Sequence, residues 1–74
     1  MDSPIDWEAR AKGILKAELK RRGVTYGELA VKLAEIRVSE TEPNIRNKIA
    51  RGAFTAQFML QCMEAIGNDI IRLD

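Results

Sequence analysis

The chain has 74 residues, 46% of them apolar, with twelve Lys and Arg against eleven Asp and Glu for a net charge of +1. That length suits one small domain with a marginal core, and the sequence lacks the Pro, Gly or Ser runs of a linker. One cysteine and no histidine exclude an internal disulfide and the usual zinc constellations; apolar runs of only a few residues exclude a membrane span or secretory signal, so cytoplasm is the default.

Residues 1–5 have little to pack against and are expected to be disordered. The segment 6–22 reads as a first helix, with Asp6 as its cap, Trp7 near its start, and Ala11, Ile14, Leu15 and Leu19 on one side. Gly13 weakens its interior by up to about 1 kcal/mol. Lys20, Arg21 and Arg22 close it. They complement the dipole of a last helical turn, or they pair with phosphates beside a DNA-reading surface.

Thr25 opens the second helix as half of a capping box: its hydroxyl accepts from the Glu28 N–H while Glu28 reaches back to the Thr25 N–H. Leu29, Leu33 and Ile36, with Ala30 and Ala34 beside them, then form one apolar stripe on a 3.6-residue period. The polar stretch 37–43 ends it. Pro43 lacks an N–H and has φ preset near the helical value, so it belongs in the first turn of a third helix capped by Thr41 or Glu42. Glu40 and Glu42 are read first as caps at that helix's front. The helix runs to about Arg51 and stops at Gly52.

Ile45 and Ile49 share the buried face of this third helix, leaving Asn44, Arg46, Asn47, Lys48 and Arg51 directed elsewhere. Those residue types suit duplex DNA: Arg and Lys donate to guanine O6 and N7, Asn pairs with adenine N6 and N7, and all reach phosphates. A last helix begins near Thr55, gathers Phe58, Met59, Cys62, Met63 and Ile66 on one broad face, and ends at Gly67. Cys62 reads as a small buried hydrophobe. The remainder, 68–74, is a short extended tail, which cannot be stable as a lone strand. It either folds back over its own core or meets a second subunit. Phe54, Met59, Ile71 and Leu73 are the candidates for a dimer contact.

The register of Tyr26-Gly-Glu-Leu-Ala30, apolar Leu33, Ile45 and Ile49, the Arg51-Gly52 end and the helix over 58–67 resembles the Cro and phage-repressor-like helix-turn-helix family. The likeness covers roughly residues 14–67. It implies an all-α domain of four to five helices in the lambda-repressor-like arrangement, a single unit over 1–74 with its core at about 6–67. It also implies core positions at Leu29, Ala30, Leu33, Ile45, Ile49 and Ile66, and a recognition face of Asn44, Arg46, Asn47 and Lys48. Arg37 and Val38 depart from the pattern, occupying the place where a glycine-containing tight turn is typical. The chain as a whole also resembles a small bacterial domain family of uncharacterised function.

The expected function is sequence-specific binding of double-stranded DNA by a dimeric, repressor-like transcriptional regulator. Arg51, Thr25, Tyr26, Lys20, Arg21 and Arg22 are expected to support the recognition face. The alternative is a protein-interaction module, antitoxin-like or an adaptor, that uses the apolar last helix and tail. With no histidine, no Gly-rich phosphate loop and no nucleophile beside a base, no enzymatic activity, cofactor, metal or small-molecule ligand is expected.

Overall fold

The computed structural model describes residues 4–73. The expected disorder of residues 1–3, and the final residue of the tail, lie outside them. Four helices and no strand are present among the described residues: α1 (Trp7–Arg22), α2 (Tyr26–Glu35), α3 (Glu42–Arg51) and α4 (Ala56–Ala65). Each start is written locally. Asp6, Thr25, Thr41 and Thr55 stand in extended conformation, and each side chain accepts from the backbone N–H three residues on, which satisfies one of the donors a helix start leaves orphaned. The capping box at Thr25 is complete. Hydrogen bonding to the carboxyl from the Thr25 N–H, and next from the Thr25 side chain, holds Glu28 below its ordinary range. Thr41 takes the cap of α3, with Pro43 in the first turn.

The end of α2 is less ordinary. The Val38 N–H donates to the Leu33 carbonyl and the Arg37 N–H to that of Ala34, the paired bonds of a Schellman ending. That ending puts its penultimate residue in the left-handed region, and here that residue is Arg37, at φ 64°. A side chain with a Cβ costs about 1–2 kcal/mol in this conformation.

Leu15 and Leu19 of α1, Leu29 and Leu33 of α2, Ile45 and Ile49 of α3, and Phe58, Cys62 and Met63 of α4, together with Ile66, form one buried core. Each such side chain contributes on the order of 1.5–3 kcal/mol on leaving water. Ala30 packs against its edge. Helix α3 lies against α1 and α2, and α2 also meets α4.

Two contacts fix α1 at its ends. Gly52, buried and at φ 68°, sits so close to the start of α1 that an added Cβ would lie 2.2 Å from the Glu8 carbonyl oxygen; beside it the Lys12 ammonium donates to the Ala50 carbonyl at 3.1 Å. At the other end the Arg22 guanidinium donates to the Ile66 carbonyl at 3.0 Å, closing α1 onto the exit of α4. The tail after α4 runs back along α1, where the Arg10 guanidinium donates to the Leu73 carbonyl. The tail lies along α1 without covering the core, and Ile70, Ile71 and Leu73 stay exposed.

Two substitutions at left-handed positions should affect stability differently. Gly52→Ala meets both the left-handed backbone and the Glu8 carbonyl and should cost at least about 2 kcal/mol, a fall in Tm on the order of 10 °C for a domain this small. Arg37→Gly trades left-handed strain against chain entropy and should leave Tm unchanged or a few degrees higher. Thermal melts followed by circular dichroism decide both, and a Gly52→Ala variant as stable as the parent would contradict the α1–α3 approach.

Candidate nucleic-acid interface

On a helix, residues three and four apart stack on one face. Asn44, Asn47 and Arg51 therefore form one stripe on α3, opposite the buried Ile45 and Ile49, and all three are exposed. None of their side chains is hydrogen-bonded within the described residues.

Arg46 and Lys48 stand on the two shoulders of that stripe, and each is already held by a carboxylate. Arg46 pairs with Glu42 at 2.7 Å, one helical turn back. Glu42 leans toward α2, since a Cβ added at Gly27 would lie 3.5 Å from its carboxylate oxygen. The front of α3 thus lies beside the start of α2. Lys48 turns the other way, toward α4: it pairs with Glu40, whose side chain is only 11% exposed, and its ammonium stands 4.9 Å from the centre of the Phe58 ring. Both carboxylates thus serve as ion-pair partners, where the sequence had suggested caps; Thr41, between them, does the capping.

The electrostatic outcome is a face of low net charge. Of the three cations on α3, Arg51 is the one without an ion pair among the described residues. Beneath the Lys48–Glu40 pair lies Cys62, whose thiol is pushed up to about 12 by burial and, next, by the Glu40 charge, with Lys48 opposing. At that value it stays protonated at neutral pH and is a poor nucleophile. No group of three or more His, Cys, Asp or Glu suited to a metal exists among the described residues, and none of their helices is long and apolar enough to cross a membrane.

The remaining candidates divide into separate places. Lys20, Thr25 and Tyr26 come together with Lys16, Leu19 and Val24 around an open cleft of about 270 Å³ at the α1–α2 junction. That cleft adjoins the start of α2. Lys16, one helical turn before Lys20 on the basic first helix, was not among the expected DNA contacts, and the cleft adds it. Arg21 pairs instead with the buried Glu18 at 2.8 Å, and Arg22 is tied to the end of α4. Neither side chain is gathered with the α3 stripe. Phe54 is half-buried and tilts against Phe58 at 5.6 Å between ring centres, whereas Met59, Ile71 and Leu73 line a different, apolar groove.

The family described as Domain of unknown function (DUF6471) matches residues 7–71. The chain belongs to this family. The matched stretch begins at the first residue of α1 and takes in all four helices, so the DUF6471 unit includes both the α3 stripe and the apolar groove, apart from Ile5 and Leu73 at its edges. Searches of curated proteins and of solved structures return no match.

Lys48 and the outward stripe should respond differently to truncation. Lys48→Ala leaves Glu40 nearly buried without its partner and removes the cation over Phe58, which should cost about 1–3 kcal/mol; Asn47→Ala and Arg51→Ala should stay within about 0.5 kcal/mol of the parent. Urea titrations of the three variants measure this, and equal stability for all three would contradict the clasp role of Lys48.

Proposed function

We propose that this DUF6471 chain is a helix-turn-helix protein that binds double-stranded DNA in the major groove through α3, with α2 as the supporting helix. The observation that carries this reading is the Asn44, Asn47 and Arg51 stripe: two amides and a guanidinium, exposed, aligned along a helix and unengaged. Asn matches adenine N6 and N7, and Arg matches guanine O6 and N7 or a phosphate. Further support comes from the nearness of Glu42 to Gly27, which brings the start of α2 beside the front of α3. Lys16 and Lys20 near the start of α2 add phosphate-reaching charge without sequence information. Regulation would follow from occupancy of an operator. In this reading Arg46 and Lys48 are secondary. Their carboxylate partners reduce the non-specific phosphate attraction that otherwise dominates affinity, leaving discrimination to the amides.

The test is selection of fragmented genomic DNA on the immobilised protein at physiological salt, about 0.15 M, followed by sequencing. An enriched motif is expected. Asn47→Ala should lose about 1–3 kcal/mol at one base position, while Glu42→Gln, which frees Arg46 and removes a negative charge, should strengthen binding several-fold and steepen its salt dependence. Absence of any enriched motif, with the protein folded, would sink the reading and favour the protein-interaction alternative.

A further inference from the structure

Most of the large apolar side chains left in water gather around the tail and the start of α1. Trp7 is 66% exposed, and Ile5, Leu60, Ile71 and Leu73 are also exposed. They are continuous. A groove of about 470 Å³ is lined by Ile5, Trp7, Ile14, Met59, Ile71 and Leu73 among others, and a neighbouring cleft shares Ile71 and adds Leu60. Together the five residues expose on the order of 600 Å², backbone included. That is at the top of the range for the largest patch on a typical monomer and approaches the roughly 800 Å² per partner of a standard interface.

The charges around this face decide what kind of partner it fits. Arg10 lines the groove and Arg72 stands beside Leu73 in an adjoining cleft, while Asp6 lies between Ile5 and Trp7 in sequence and Glu64 and Asp69 line the cleft of Leu60. The rim therefore carries both signs. A strongly acidic or basic partner would meet repulsion along part of it, whereas an isologous two-fold contact sets the same patch against itself and can oppose arginines to carboxylates. The groove is also large enough to receive an indole from the facing copy, and an exposed Trp at the wall of an apolar groove is suited to act as an interface anchor.

We infer that the face built from Ile5, Trp7, Leu60, Ile71 and Leu73 binds a second copy of this chain, with Trp7 of each protomer seated in the groove of the other. This surface differs from the one drawn from sequence in losing Phe54, which packs on Phe58, and in gaining Ile5, Trp7 and Leu60, while Met59 remains as a wall of the groove. It stands independently of the DNA reading, because none of its residues belongs to α3 or to the start of α2.

Trp7 is the only tryptophan in the chain, so its fluorescence reports the contact directly. The full-length protein is examined by sedimentation equilibrium over a wide concentration range, with emission recorded in parallel. The expected result is a monomer–dimer equilibrium whose formation shifts Trp7 emission to the blue, a dissociation constant weakened at least about 30-fold in Trp7→Asp, and no weakening in Val31→Asp, an equally exposed apolar site on α2. Helical circular dichroism should be the same in all three, since Trp7 and Val31 are solvent-facing. A monomer at every concentration overturns the inference. So does a dimer that leaves Trp7 emission unchanged or that survives Trp7→Asp, and so does a blue shift obtained only on adding neutral lipid vesicles. None of these outcomes depends on whether DNA binds.

Discussion

Two backbones meet where Gly52, at the exit of α3, lies against the carbonyl of Glu8 in the first turn of α1, and no side chain would fit between them. Much else depends on this contact. With the exit of α3 held there, and Lys12 bonded to the Ala50 carbonyl beside it, the rotation of α3 about its axis follows from burying Ile45 and Ile49. The same rotation sends Asn44, Asn47 and Arg51 to solvent and carries Lys48 under the edge of α4. The capping glycine thus does two things at once: it supplies the left-handed residue that ends a helix, and it lets two helices meet at a distance that only a missing Cβ permits.

The electrostatics follow from that placement. A chain with a net charge of +1 has little long-range attraction for a polyanion, and Glu40 and Glu42 reduce it further on α3. The two pairs are not equivalent. Glu42 and Arg46 are both about half-exposed, a surface pair worth at most about 1 kcal/mol and readily exchanged for another partner. Glu40 is nearly buried and shares Lys48 with the Phe58 ring, so that pair belongs to the packing of α3 on α4. A charge count along the helix treats them alike; burial separates them.

What was readable in the sequence was local. Thr25 with Glu28, Thr41 ahead of Pro43, and Gly52 after Arg51 all act within a turn of the chain, and the helix starts fall where those residues place them. The core was readable for the same reason, because periodicity selects Leu29, Leu33, Ile45 and Ile49 without knowledge of their partners. The rest needed three-dimensional neighbours. Glu40 and Lys48 are eight residues apart, Arg22 and the Ile66 carbonyl forty-four, and no spacing rule links them. Arg37 hides its left-handed conformation because it is not a glycine. The apolar face was half visible: Met59, Ile71 and Leu73 were legible as surplus hydrophobes, but Trp7 and Ile5 join them only because the tail doubles back along α1.

Helix α1, joined at its first turn to the end of α3 and at its last turn, through Arg22, to the end of α4, works as a brace. Shearing α3 past α4 would require α1 to bend or one of its end joints to break. The brace therefore fixes the distance and orientation between the α3 stripe and the apolar groove, so that whatever is held on one is set at a defined place relative to the other.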